Sequence, residues 1–192
     1  MTRVDLPTDE ATVRALRCGD IVEIHGVLLT GRDVAHAYLF KEHRPKFVER
    51  LKGRFIYHCG PVVRKAKGGW EVISAGPTTS TREEPYQAKV IQDYSLRGVI
   101  GKGGMGPGTL EALKTYGAVY LSAVGGAGAV AASSVKKVRA VYMLEEFGVP
   151  DALWELEVEG FPVIVTMDSH GESLHKKVKE ASEAEFRKLL KR

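Results

Sequence analysis

The sequence predicts an α/β fold in which a mixed β-sheet carries flanking helices. Between residues 83 and 124, short apolar runs alternate with stretches of helical periodicity, as in consecutive βα units, and such units favour parallel pairing. Residues 55–75 hold three β-rich runs separated only by turn signals, Gly60-Pro61 and Lys67-Gly68-Gly69, which is an antiparallel pattern. The 192 residues, 44% hydrophobic and 27% charged, are long enough to bury one core under one sheet system.

Taken in order, Ile21 to Leu29 alternates as a strand, Thr30-Gly31 turns, and Arg32 to Glu42 places Val34, Ala35, Tyr38 and Leu39 at helical spacing. Phe55 to Cys59, Val62 to Ala66 and Trp70 to Ala75 are the three antiparallel runs. Glu83 to Tyr94 is predicted helical, Arg97 to Ile100 a short strand, Gly108 to Tyr116 a helix, Val119 to Val124 a strand and Gly128 to Ser134 a short helix. Val138 to Leu144, Leu153 to Val158 and Phe161 to Met167 complete the strands, and Glu172 to Arg192 reads as charged amphipathic helix. The whole of 1–192 is expected to be a single domain, its charged tail 171–192 packed on it or partly mobile.

Composition excludes several classes of function. A formal charge of +4 is mild, and much of the excess sits where Lys176, Lys177, Lys179, Arg187, Lys188, Lys191 and Arg192 alternate with glutamates, a solvated helix face rather than a nucleic-acid surface. The N-terminal residues lack an apolar signal segment and no run approaches a membrane span, so a cytoplasmic location and no membrane partner are expected. Two cysteines, Cys18 and Cys59, without C-x-x-C or histidine spacing, predict no disulfide framework and no metal ligands in this chain.

Two segments carry the chemistry: Gly-Pro-Thr-Thr-Ser-Thr-Arg at 76–82 and Gly-Lys-Gly-Gly-Met-Gly at 101–106. Each follows a predicted strand, where open α/β sheets bind ligands, so Thr78, Thr79, Arg82 and Lys102 are expected to converge on one crevice with no carboxylate among them. Such a crevice suits a small anion. Gly101-x-Gly103-x-x-Gly106 also matches the dinucleotide fingerprint, yet the next strand ends in Val124-Gly125-Gly126 without the acid that would hold a ribose. Lys102 occupies the second fingerprint position and Gly103 follows it, which excludes a Walker A loop. Arg32 begins a helix after a polar turn and suits a bidentate carboxylate contact. His36, four residues on, shares its face and either orients a ligand or the arginine, or is a buried structural residue. Asp168-Ser169-His170 reads as a turn, since consecutive residues cannot form a catalytic triad.

Together with Leu-Thr-Gly-Arg-Asp-Val-Ala-His at 29–36 and His-Cys-Gly-Pro at 58–61, these segments resemble the β subunit, or C-terminal domain, of class I iron–sulfur hydro-lyases, the class I fumarases and L-tartrate dehydratases. The resemblance implies a swivelling β/β/α domain and a reversible hydration of fumarate to L-malate, or dehydration of L-tartrate. It implies substrate-binding roles for Arg32, Thr78, Thr79, Arg82 and Lys102, with Thr78 as the catalytic base and His36, Gly101 and Gly103 behind them. It also implies a [4Fe-4S] cluster held by an α subunit, an α2β2 heterotetramer and a small dicarboxylate substrate. Ser80-Thr81, in place of the Ala-Gly of fumarases, leaves fumarate and tartrate both open. A stand-alone anion- or nucleotide-binding module and a scaffold closing another subunit's site are the readings from other classes.

Overall fold

A computed structural model describes residues 1–41 and 47–190. The sequence readings at Glu42, Lys191 and Arg192 lie outside the described residues. The chain opens with β1 (Thr2–Leu6) and a short α1 (Glu10–Arg14), capped by Asp9, whose carboxylate accepts from Thr12 N–H at 2.8 Å. Then follow β2 (Ile21–Thr30), α2 (Asp33–Lys41), β3 (Phe55–Tyr57) and the strands β4 (Val62–Ala66) and β5 (Gly69–Ser74). A 3₁₀ turn at Ser80–Glu83 runs into α3 (Glu84–Tyr94), then β6 (Gly98–Gly101), α4 (Pro107–Tyr116) and β7 (Val119–Ser122). The chain continues through α5 (Gly128–Ser133), β8 (Val135–Tyr142), α6 (Leu144–Phe147), β9 (Leu153–Met167) and α7 (Leu174–Leu189).

Seven strands form a mixed sheet in the order β1-β2-β3-β6-β7-β9-β8. β1, β2, β3, β6 and β7 are parallel, and β9 runs antiparallel to β7, β8 and β2. Because β9 pairs with both β7 and β2, the strands β2, β3, β6, β7 and β9 close into a ring. The sequence splits β9 into two runs at Gly160. In the structure it is one strand of 15 residues, bent where the pairing with β2 shifts and Gly160 takes φ +65°.

Alternation along the short central strands fills both faces. Phe55, Tyr57, Ile100, Val119 and Leu121 join Trp154, Leu156 and Val163 in the core that includes the β9 strand. Ile56, Val99 and Tyr120 point the other way, onto Leu39 of α2, Val90 and Ile91 of α3 and Leu113 of α4. Strands covered on both faces read as continuous apolar runs, which is how 98–101 and 119–122 appear in sequence.

The hairpin departs from expectation. β4 and β5 pair only with each other, as a separate two-stranded sheet. Trp70 packs edge-on against Trp154, with ring centroids 5.3 Å apart, and so fastens the hairpin to the ring. The small residues at 127–132 serve internal packing on one side: Ala75 N–H donates to Gly128 O at 2.9 Å, while Val130 stays exposed.

Candidate active site

Loops following β2, β3, β6 and β7 gather at one end of the parallel strands, stitched by backbone hydrogen bonds. Gly31 N–H donates to Tyr57 O (2.9 Å), His58 N–H to Ile100 O (2.8 Å) and Ala123 N–H to Gly101 O (2.9 Å). Segment 76–82 leaves the separate hairpin, not a strand of the main sheet as expected, and is laid across these loops. Thr78 N–H donates to His58 O at 2.7 Å, Ser80 N–H to Lys102 O at 3.1 Å, and Thr79 and Lys102 form an isolated parallel bridge. Thus Thr78, Thr79 and Lys102 stand side by side. Arg32 crosses Gly60, where an added Cβ would sit 2.8 Å from its Nη1 and 2.6 Å from Pro150 O, so no side chain fits there. Arg82 reaches back to α2 and pairs with Asp33. Lys102, Thr79 and Arg82 are exposed, Thr78 and Arg32 half-buried.

Carboxylates do enter this wall, against the expectation of none. Asp33 neutralises part of Arg82, and Asp151, from the loop before β9, lies 3.9 Å from Arg32 Nε. Glu83 sits beneath them, wholly buried, with neither carboxyl oxygen hydrogen-bonded.

Behind the wall lies a layer of fully buried polar side chains. His36 Nδ1 is 3.0 Å from Arg32 O, and one end of the Gln87 amide lies 3.0 Å from His36 Nε2 and 2.9 Å from His58 Nε2. His58 Nδ1 is 2.9 Å from Ser80 Oγ, Tyr120 O–H donates to Ser80 Oγ at 2.9 Å, and Gly104 N–H donates to Tyr120 O at 3.3 Å. Burial pushes His36 down to about 4, and burial together with nearby His36 holds His58 well below the usual imidazole range, so both rings are neutral. A neutral His36 that donates Nδ1–H to Arg32 O has only an acceptor at Nε2. The structure sets Gln87 Oε1 against both Nε2 atoms and leaves its amide nitrogen without a partner; because His36 requires a donor there, we assign the amide the opposite way, nitrogen between the rings and one N–H to each. The result is one hydrogen-bonded chain from the Arg32 loop to the Gly104 loop. Gly101 belongs to it by its smallness, because a Cβ there would strike the Ser80 hydroxyl.

The glycine turn does not offer a free anion site. At the start of α4, the Glu84 carboxylate already accepts from Gly106 N–H (2.7 Å), Thr109 N–H (3.1 Å) and Thr109 O–H (2.6 Å). An internal carboxylate thus occupies the place a phosphate would take. Gly103 and Gly104, at φ +84° and +80°, supply the left-handed turn that sends Lys102 outward while the chain enters the helix.

With this geometry in place, comparison with known proteins becomes decisive: the pattern described as fumarase C-terminus matches residues 1–178. The chain belongs to the fumarase C-terminus family. It is 50% identical over 177 residues to a protein of Geobacillus stearothermophilus named as a class I fumarate hydratase, covering 92% of this chain and 34% of that relative. It is 40% identical over 181 residues to a Methanocaldococcus jannaschii protein named as an L(+)-tartrate dehydratase subunit beta, covering 93% of each. With the L(+)-tartrate dehydratase subunit beta of Escherichia coli K12 it shares 38% identity over 169 residues, 88% of this chain and 83% of the relative. The chain therefore spans about a third of the Geobacillus relative and most of each β subunit.

The family resemblance read from the motifs is borne out, and the remaining sequence readings can be placed against it. His36 is buried and hydrogen-bonded behind Arg32. Gln87, Tyr120, Glu83, Glu84 and Asp151 went unread, and His58 was read only as part of the His-Cys-Gly-Pro segment. Asp168 is a turn residue: burial opposes its ionisation, but N–H groups of Cys18, His170 and Glu172 hold it below the usual carboxylate range. Burial raises the Cys59 thiol to about 12 and the Cys18 thiol to about 11. Among the described residues no three His, Cys, Asp or Glu side chains group as metal ligands.

Proposed function

We propose that the chain is the β subunit of a two-subunit class I fumarate hydratase, catalysing the reversible hydration of fumarate to L-malate. The observation that carries this reading is one wall on which Arg32, Arg82, Lys102, Thr78 and Thr79 stand over an uncharged layer joined by hydrogen bonds. In this reading the wall binds both carboxylates of the substrate. Removing a proton from the carbon beside a carboxylate drives a second negative charge onto it, so cations aimed there stabilise the transition state more than the ground state. Neutral histidines behind the cations add no charge of their own, while their hydrogen bonds fix the Arg32 backbone and the Ser80 hydroxyl. Thr78, anchored through its N–H to His58 O, is the proposed base. Its hydroxyl would need the positive potential of Arg82 and Lys102 to give up a proton near neutral pH.

Protonated, buried or half-buried thiols are poor cluster ligands, so the [4Fe-4S] cluster is assigned to an α partner in an α2β2 assembly. When bound there, it would supply a Lewis acid for the substrate hydroxyl. Residues 1–192 act as one domain in this reading, with the tail docked through His175, whose Nε2 lies 3.0 Å from Thr166 Oγ1. No helix among the described residues is long and apolar enough to cross a membrane. In this reading the assembly works in the cytoplasm and without nucleic-acid partners.

One observation favours a second reading, the β subunit of an L-tartrate dehydratase: the β-subunit relatives match this chain nearly end to end, whereas the more identical fumarate hydratase is about three times as long. Side-by-side rates of the assembled enzyme on fumarate, L-malate and L-tartrate test both. Fumarate turnover well above tartrate turnover is expected, and the reverse order would transfer the assignment. A scaffold role would instead leave turnover intact when Arg32, Arg82 and Lys102 are all replaced.

A further inference from the structure

Glu83 has no part in the wall as described, yet its state is the least ordinary there. It lies on the 3₁₀ turn directly after Arg82, wholly buried, and neither of its oxygens has a hydrogen-bond partner. Two neighbours share the condition: Arg32 Nε and Asp151 Oδ1, 3.9 Å apart, are also buried without hydrogen bonds. A desolvated carboxyl with no donor facing it favours its neutral form. The groups that act on Glu83 are Arg82 on its own turn, Arg32 from the loop before α2, Asp151 from the loop before β9, and Tyr120 on β7. Asp33 of α2 engages Arg82 from the other side. Burial is the largest influence and raises Glu83, its own backbone N–H and then Arg82 and Arg32 pull it down, Asp151 pushes it up, and the balance leaves it at about 7.

We propose that Glu83 is a proton-holding residue of the dicarboxylate site: with its proton it adds no further carboxylate beside Asp33 and Asp151, and once ionised it competes with a substrate carboxylate for Arg32 and Arg82. This rests on the functional reading above. Arg32, Arg82 and Lys102 face Asp33 and Asp151, so the wall carries one net positive charge while Glu83 is neutral and none once it ionises. The proton lost on ionisation goes to solvent and returns when a dianion binds. By reciprocity, a bound dianion raises Glu83's hold on that proton. A merely structural acid would leave binding unlinked to protons.

The test uses the complex assembled with the cluster-bearing partner, as wild type, Glu83→Gln and Glu83→Met. KM and kcat are measured for fumarate and L-tartrate between about pH 6 and 9, and the infrared carboxyl C=O band is recorded on the same complexes. In the wild type, KM should climb toward about tenfold per pH unit above the Glu83 midpoint with little change in kcat. Both variants should hold KM level across that range. A protonated-carboxyl band should fade with rising pH in the wild type and be missing from both variants. Identical KM–pH profiles in wild type and variants, or no such band at the acid end, would overturn the proposal; should Glu83→Gln fail to assemble, Glu83→Met decides it. Absence of turnover on any dicarboxylate would sink the functional reading and the substrate linkage with it, while the infrared band still decides whether Glu83 holds a proton.

Discussion

Arg82 and Lys102 stand exposed at the mouth of the site, whereas His36, His58, Gln87 and Ser80, directly behind them, are wholly buried. The outer group is charged, with Arg32 3.9 Å from Asp151 and Arg82 paired directly with a half-exposed Asp33. The inner group is neutral and joined by hydrogen bonds of 2.9 to 3.0 Å. Substrate binding and loop positioning are thus assigned to different residues. A charged layer behind the wall would compete with the substrate for the cations, and a neutral one does not. The comparison also explains why the wall looks unfinished by itself: its cations have room for anionic partners that this chain does not provide.

The comparison breaks if wall and layer respond alike to substitution. The largest effect is expected at the wall: Arg82→Ala or Lys102→Ala in the assembled enzyme should lower kcat/KM by about a hundred- to a thousandfold, or about 2.7 to 4 kcal/mol of barrier. Stability should move by less than about 0.5 kcal/mol, since both side chains are exposed. Gln87→Leu should do the opposite, costing roughly 2 to 4 kcal/mol in urea unfolding because both buried imidazoles lose their donor. A Gln87→Leu protein as stable as wild type would contradict the proposed amide orientation.

Protonation sharpens the contrast, because the two regions have opposite signs. His36 binds its proton at about 4 in the folded chain and near 6.5 unfolded, so between those values the unfolded state holds more protons and stability rises with pH. For this one residue the gain on going from pH 4 to 7 is about 3 kcal/mol. Glu83, raised to about 7, holds its proton in the folded chain where an unfolded glutamate has lost it, so its contribution falls as pH climbs from about 4.3 to 7. Glu83→Gln should therefore stabilise the fold at pH 8, by up to about 3 kcal/mol, and leave it unchanged near pH 4. Equal stability of the two proteins at both pH values would contradict this. A smaller effect belongs to Glu84→Gln, which should weaken the α4 cap by about 1 to 2 kcal/mol in urea unfolding.

The smallest effect is expected far from both layers. α7 buries no residue, carries spaced pairs such as Lys179–Glu183 at 3.8 Å, and exposes Phe186 and Leu189, while the family match ends at residue 178. Removing residues 180–192 should change unfolding free energy by under about 1 kcal/mol.

What could be read from the sequence follows the range of the interactions involved. The parallel units were legible because strand and helix periods differ and each covers only a few residues, as at 98–101 and 107–116. β1 escaped notice because only Val4 and Leu6 are buried among its five residues. The ring closure escaped because it depends on β9 finding β2, more than a hundred positions earlier. At the site, glycine turns and threonines advertised Thr78, Thr79, Arg82 and Lys102 locally. The polar layer joins residues 22 to 51 positions apart, and nothing local distinguishes Gln87 or Tyr120 from ordinary surface or core residues. Asp151 reaches Arg32 because β9 pairs with β2, so that carboxylate was hidden by topology, whereas Asp33 stood beside Arg32 in the sequence and only its pairing with Arg82 was not legible.

The central claim is that this chain holds half of a site: the cations that grip a dicarboxylate, but not the metal that acts on it. The most direct test is anaerobic co-production with the proposed cluster-bearing partner, with rates on fumarate, L-malate and L-tartrate measured for the complex and for the chain alone. The complex should turn over a dicarboxylate and lose that activity with Arg82→Ala, while the isolated chain is colourless and inactive. Iron–sulfur absorbance or turnover in the isolated chain, or a complex indifferent to Arg82→Ala, would contradict it.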